Sequence, residues 1–356
     1  MNILNEGKGE LNAWMDPDDA RDWMSEKKSR ELTDKIMPIK EAVKRFTFNG
    51  GYLAMGGFGH VRVSMAGIYE MIRQKRRNLI MAGKTAVHDI DVLIASGVVD
   101  RVECAYAFGH ELRGLSPSGR RAVEKGKVKV VAELSNAAFQ WRFKAASMGL
   151  SWLPARVMMG TDTFRYSAMK TVEDPYTGKP LCLIPACYPD FAFIHVHRCD
   201  KYGNAQIDGI VIEDRELAMA AKRLIITTEE IVSENEIRDA PDRTVIPFFM
   251  VDAVCETPYG SHPGNMPLLY YSDEEHMTEW LTLSQNEDGV MKYLDKYVYA
   301  IDDFTEYITL VGGVKRMEYL RKLERLEAPL STPWRRGERN WITIPLNSWR
   351  QQLRGC

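Results

Sequence analysis

The 356-residue sequence has no uncharged apolar run near the roughly eighteen residues needed to cross a bilayer. Its first twenty residues carry Glu6, Lys8, Glu10, Asp16, Asp18 and Asp19 where a secretory signal would hold an apolar core. A membrane-spanning or exported chain is therefore not expected. Strong charge of one sign is also missing: the formal net charge is −2, which removes the electrostatic reason to expect nucleic acid or another polyanion. The six cysteines, at 104, 182, 187, 199, 255 and 356, include no Cys-x-x-Cys pair. Neither a zinc ribbon nor a disulfide framework is indicated, and reduced thiols in the cytoplasm are expected. No internal repeat or low-complexity tract occurs.

At 45% hydrophobic and 27% charged, the chain has the composition of an ordinary soluble protein with material for a substantial core. Apolar spacing predicts helices at Met37–Phe46, Ser64–Arg77, His88–Ser96, Pro117–Gly126, Asn136–Met148 and Leu217–Lys222. Between them lie strands at Tyr52–Met55, Leu79–Met81, Val102–Tyr106, Val128–Glu133, Phe191–His197, Leu224–Thr227 and Phe248–Val254. This alternation implies an α/β fold: an open, mainly parallel sheet with helices on both faces, whose ligands collect at the carboxyl ends of the strands. Residues 1–36 read as a charged, appended helical arm, 37–329 as the domain, and 330–356 as an extension in which Trp334, Trp341 and Trp349 are interleaved with arginines. The stretch after Pro154, rich in Gly, Asp, Thr and Pro, reads as a loop up to Lys179.

The most informative segment is Asn49 to Phe58, Asn-Gly-Gly-Tyr-Leu-Ala-Met-Gly-Gly-Phe. A buried strand that ends in Gly56-Gly57, with a helix to follow, lets backbone N–H groups approach a ligand without an intervening Cβ. Such a junction suits a carbonyl oxygen that must gain negative charge, with the amides of Gly57 and Phe58 as donors.

Members of the family I CoA-transferases are built from two related kinds of subunit, and these ten residues resemble the signature of the first: Asn or Asp, Gly, two free positions, three apolar residues, then Gly-Gly-Phe. Further along, Ala145–Pro154, Ile231–Arg238, Val251–Val254 and Pro258–Pro263 are similar in order to segments of the first subunit of the glutaconate CoA-transferases. The likeness runs from about Met37 to Glu327. Arg62 is shared with the glutaconate branch, whereas Ser64 replaces the proline of the common signature and puts the start of the next helix in doubt.

The resemblance implies coenzyme A, bound as an acyl-CoA substrate, and no metal. It implies a partner, the second kind of CoA-transferase subunit, in a heterodimer or heterotetramer; this partner supplies a nucleophilic glutamate for a glutamyl-CoA intermediate. CoA would pass from an acyl thioester to a carboxylic acid, and the chain alone should be inactive. Site residues implied are Gly57 and Phe58 at the oxyanion, with Gly56, Arg62, Phe108, Glu133, Ser135, Asn136 and His262 contacting substrate or CoA. Arg62 would pair with the distal carboxylate of a dicarboxylic substrate. In a related branch that opens steroid-ring CoA thioesters by hydrolysis, a carboxylate of the first subunit, near the position of Asn136, takes over catalysis. Glu133 keeps that alternative open, as do decarboxylase or lyase chemistry and a noncatalytic acyl-CoA-binding role.

Other residues carry two readings. Glu234-Asn235 imitates the nucleophile's element, yet Glu236 stands where glycine is needed, so a surface turn is expected. His195 and His197 share one face of a strand, a zinc-capable geometry for which no third ligand is evident; core histidines are expected. Arg73–Arg77 could meet CoA phosphates or simply complement a helix end.

Overall fold

The computed structural model describes residues 2–110 and 113–329. In chain order the elements are β1 (Ile3–Glu6), α1 (Pro17–Lys27), α2 (Ile39–Phe46), β2 (Tyr52–Met55), α3 (Met65–Arg73), β3 (Leu79–Ala86), α4 (His88–Ala95), β4 (Val99–Ala107), α5 (Pro117–Glu124), β5 (Lys129–Glu133) and α6 (Asn136–Ser147). They continue with β6 (Trp152–Ala155), α7 (Asp162–Arg165), β7 (Lys170–Glu173), β8 (Pro180–Pro185), β9 (Phe191–Cys199), β10 (Ala205–Gln206), α8 (Asp214–Ala220), β11 (Arg223–Ile231), α9 (Glu234–Asp239), β12 (Thr244–Ile246) and β13 (Ala253–Glu256). Four helices close the described chain: α10 (Glu274–Leu283), α11 (Glu287–Leu294), α12 (Phe304–Leu310) and α13 (Gly313–Glu324).

The main sheet runs β5-β4-β3-β2-β9-β11-β13, parallel throughout. The antiparallel pair β10 and β12 extends it at the carboxyl end of β9. Every residue of β2 and β3 is buried, as expected of central parallel strands covered on both faces. One face packs under α3, α4 and the C-terminal helices, through Ile68, Met71, Leu93, Trp280 and Tyr293. The other packs under α6 and α8, through Phe139, Phe143 and Leu217. The expected α/β architecture is therefore the observed one.

Capping explains where several helices begin. Ser116 and Ser135 each accept the amide three residues on, and Ser233 with Glu236 forms a capping box. Ser64, the residue that departs from the signature, caps α3 by accepting the Gly67 amide and also receives the Thr227 hydroxyl at 2.8 Å.

Three expectations need correction, and one region held elements that no expectation covered. Residues 1–36 are not an appended helical arm: β1 pairs with β7, and α1 lies beside the domain with Lys28 buried against Asp252. The expected loop between Pro154 and Lys179 holds α7 and β7, and β7 joins β1, β8 and β6 in a four-stranded antiparallel sheet. Phe248–Met250 is a short 3-10 turn, and the strand starts only at Ala253. Helices α10 to α13 were not foreseen; they are tied down by a buried polar network in which His276, Tyr293, Tyr307 and Tyr69 exchange hydrogen bonds. The expected Trp- and Arg-rich extension at 330–356 lies outside the described residues.

Candidate functional site

The chain leaves β2 through Gly56 and Gly57 and turns sharply. Gly57 has φ +80°, and a Cβ there would stand 2.2 Å from the Val61 carbonyl oxygen, so the backbone path demands glycine. A Cβ on Gly56 would meet Asp214 Oδ1 at 2.8 Å. The Phe58–Val61 turn closes on itself by reciprocal amide-to-carbonyl bonds of 2.9 and 2.8 Å, and the Gly59 amide donates to the Thr85 carbonyl at 3.0 Å.

These bonds correct the oxyanion reading of Gly57 and Phe58. The Gly57 N–H donates to Asp214 Oδ1 at 3.0 Å and the Phe58 N–H to the Val61 carbonyl. A donated amide hydrogen is not available to a ligand in this conformation. What the glycines provide is closeness of approach and a fixed turn that carries Phe58, 36% exposed, to the surface.

Arg62 does not face a substrate either. Its guanidinium is fully buried, paired with Asp214 at 2.7 Å, and donates to the Ile210 carbonyl at 2.7 Å. Asp214 is held below the usual carboxylate range, against the cost of its burial, by Arg62 and by the Gly57 amide. His262 is likewise internal: it lies between Tyr307 Oη, at 2.7 Å, and Asp273, at 3.0 Å, with no exposed surface. Both side chains are held in the packed interior by their partners.

Three half-buried polar residues, Glu133, Ser135 and Asn136, lie in succession around the carboxyl end of β5, and Asn136 meets the buried Thr85 at the end of β3. The Thr85 hydroxyl donates to Asn136 Oδ1 at 2.9 Å, which leaves the Asn136 amide hydrogens for other acceptors. Ser135 caps α6, and Glu133 ends β5 beside it with its side chain partly exposed. Phe108, at the end of β4, packs its ring toward the core while its backbone lies at the rim. Four of the eleven non-glycine residues with positive φ among the described residues lie near the carboxyl ends of β2, β3 and β4: Arg62, Thr85, Tyr106 and Phe108 have φ between 45° and 66°. For a β-branched residue such as Thr85 this is costly, and such strain clusters at functional sites.

Sequence reasoning missed three groups. Lys84, on β3, reaches the Gly57 carbonyl at 3.0 Å and pairs with Glu213, which precedes α8. Three histidines, His60, His88 and His110, crowd together at the ends of β2, β3 and β4, with ring centroids 5.8 and 6.3 Å apart. Burial keeps His60 and His88 far below the ordinary histidine range, hence neutral. The one sequence cue was the position of His60 directly after the glycine motif. Asp91 organises the third group, accepting from Ser118, Trp280 and Ser116 and facing His110.

His195 bonds Thr227 and Glu229, and His197 bonds the Pro267 carbonyl and the Asp208 amide; all four ring nitrogens have partners. Among the described residues no group of three or more His, Cys, Asp or Glu side chains is placed to hold a metal ion, and no helix is long and apolar enough to cross a membrane. Glu234 pairs with Lys201 on the surface, in the segments that follow β11 and β9. Arg73 and Arg76 are tied to the backbone carbonyls of Val298, Ile301 and Val43 rather than presented to solvent.

An open parallel sheet with strained, polar loops at its carboxyl ends defines a ligand-binding α/β protein. The chain matches the coenzyme A transferase family profile over residues 36–257. It is 62% identical over 335 residues to an uncharacterised protein of Archaeoglobus fulgidus, covering 94% of this chain and 75% of that one. It is 30% identical to one subunit of the 3-oxoadipate CoA-transferase of Pseudomonas knackmussii, over 77% of this chain and 96% of the relative. Among solved structures, glutaconate coenzyme A-transferase of Acidaminococcus fermentans superposes with a TM-score of 0.77 at 28% identity, covering 80% of this chain and 95% of that one. The chain belongs to the coenzyme A transferase family.

Proposed function

We propose that this chain is the first of the two kinds of subunit in a heteromeric CoA-transferase that moves CoA from an acyl thioester to a carboxylic acid. The observation that carries this reading is a set of exposed apolar side chains. Phe58 in the glycine turn, Tyr106 at the end of β4, Leu115 in the loop after it, and Ile210 and Leu268 in the segments after β10 and β13 are 36% to 66% exposed. Exposed apolar groups suit a second polypeptide that covers them.

In the proposed reaction a glutamate of the partner polypeptide attacks the thioester carbonyl, forming an anhydride and releasing CoA thiolate. The thiolate then attacks the glutamyl carbonyl, releasing the first acid and leaving a glutamyl-CoA thioester. The second acid reverses these steps. Each attack makes an oxyanion, and the Asn136 side-chain amide, oriented by Thr85, is the donor this chain offers. The dicarboxylate preference inferred from Arg62 is withdrawn, because its guanidinium is committed to Asp214.

The test is co-expression with a candidate partner of the second kind, a CoA-exchange assay over acyl-CoA and acid pairs, and borohydride reduction during turnover. Trapping on a partner glutamate supports the reading. Absence of exchange with every pair, or trapping on this chain, overturns it. A second reading rests on Glu133, whose partly exposed carboxyl stands at the end of β5 beside Ser135 and Asn136. Thioester hydrolysis without an acceptor acid, abolished by Glu133→Gln, would favour that chemistry.

A further inference from the structure

The Gly57 backbone is held on both sides by two consecutive acidic residues, one directly and one through Lys84. Its N–H goes directly to Asp214. Its C=O goes to Lys84 Nζ at 3.0 Å, and Lys84 is in turn paired with Glu213. Lys84 Nζ also lies 5.6 Å from the centre of the Phe58 ring. Lys84, Glu213, Asp214 and Arg62 are all 6% exposed or less. In this closed set, Asp214 has Arg62 as a bidentate partner at 2.7 and 3.3 Å, whereas Glu213 has Lys84 through one oxygen and its Oε2 is buried without a partner. An uncompensated buried carboxylate oxygen makes the ionised form of Glu213 the weak member of the set.

We infer that Glu213 is a positioning residue that holds the Gly57–Phe58 peptide through Lys84, and that proton uptake by its carboxyl loosens this hold. Ionised Glu213 anchors the ammonium against the Gly57 carbonyl. Protonated Glu213 removes the counter-charge, and Lys84 is then free to move within reach of Phe58. The charged and titratable groups around Glu213 are Lys84 on β3, Asp214 beside it and Arg62 on the glycine loop; Asp89 on α4 also senses Lys84. Burial raises Glu213 to about 7 and Asp89 to about 6, while Asp214 stays ionised well below both. The transition therefore falls near neutral pH, and its two candidate carboxyls are separable by substitution.

The sequence contains a single Gly-Phe step, Gly57-Phe58. Labelling the full chain with carbonyl-13C glycine and 15N phenylalanine thus isolates the Phe58 amide, whose nitrogen shares the peptide with the carbonyl that Lys84 touches. The Phe58 resonance is expected to titrate with a midpoint near 7, to stop titrating in Glu213→Gln, and to keep its titration in Asp89→Asn. Persistence of the titration in Glu213→Gln, or its absence in the unmodified chain between pH 5 and 9, overturns the inference. An activity arm rests on the CoA-transferase reading: in the assembled enzyme kcat should follow the same midpoint, Glu213→Gln should flatten that profile with KM unchanged, and Glu213→Asp should restore it in part. If the complex transfers no CoA, that reading fails while the resonance measurement still decides the role of Glu213.

Discussion

The Arg62 guanidinium meets the Asp214 carboxylate at 2.7 Å with both side chains fully removed from solvent. This pair joins the glycine loop to the start of α8, and it converts a residue that reads as a substrate ligand into part of the frame. Arg62→Ala leaves Asp214 charged and buried, and breaking a buried pair on one side typically costs about 3–5 kcal/mol. Urea unfolding of the variant should show a loss of that order. The double replacement Arg62→Met with Asp214→Leu should cost less than Arg62→Ala, because it strands no charge. An unchanged midpoint for Arg62→Ala would return Arg62 to the list of ligands.

The two glycines of the turn should behave differently. Gly57→Ala places a Cβ 2.2 Å from one backbone oxygen and 2.8 Å from the next, so the turn must rearrange. Gly59 also has positive φ, +60°, but the nearest atom to its Cβ would be Thr85 Cγ2 at 4.0 Å. Gly59→Ala should therefore cost about 1 kcal/mol of backbone strain, and Gly57→Ala several times more. Paired denaturation curves would check the order; equal losses would contradict it.

Much of this was legible beforehand where one residue type answers one local demand. Tyr52–Met55 announces a buried strand, Gly56-Gly57 a place where backbone must stand without a Cβ, and the apolar spacing from Asn136 a helix, and all three lie where the pattern puts them. What was not legible depended on partners far along the chain. Asp214 stands 157 residues from Gly57, yet it decides what the Gly57 amide can do. Glu213 and Lys84 meet across 129 residues, and nothing near either one signals the contact. The small antiparallel sheet escaped notice because β7 is four residues long and β8 begins and ends in proline, so alternation has little room to show.

The Thr85–Asn136 pair should matter for turnover more than for folding. Asn136 is half exposed and opens α6, where Ser135 already supplies the cap. Loss of one oxyanion donor typically lowers kcat about 100- to 1000-fold, so Asn136→Ala in the assembled enzyme should fall in that range with its unfolding midpoint nearly unchanged. Thr85→Val removes the orienting hydroxyl while retaining the side-chain shape, and should give a smaller loss in kcat. Activity within about threefold of the unmodified enzyme for Asn136→Ala would assign the donor elsewhere.

The C-terminal helices should make the protein sensitive to acid through His276. Its Nε2 lies 2.7 Å from Tyr293 Oη and 3.2 Å from Tyr307 Oη, in a pocket where burial first, and His262 second, push it down to about 3. In the unfolded chain the same group titrates near 6.5. Between these values the unfolded chain binds a proton that the native state refuses, so stability falls as pH drops below 6.5. At pH 5 the contribution of this one group is a loss of about 2 kcal/mol relative to pH 7. Replacing His276 by Gln, which keeps a polar side chain without the titration, should lower stability at pH 7 but remove that increment of acid sensitivity. Urea unfolding of both proteins at pH 5, 6 and 7 would show it: parallel stability-against-pH lines would mean that His276 is not the group responsible.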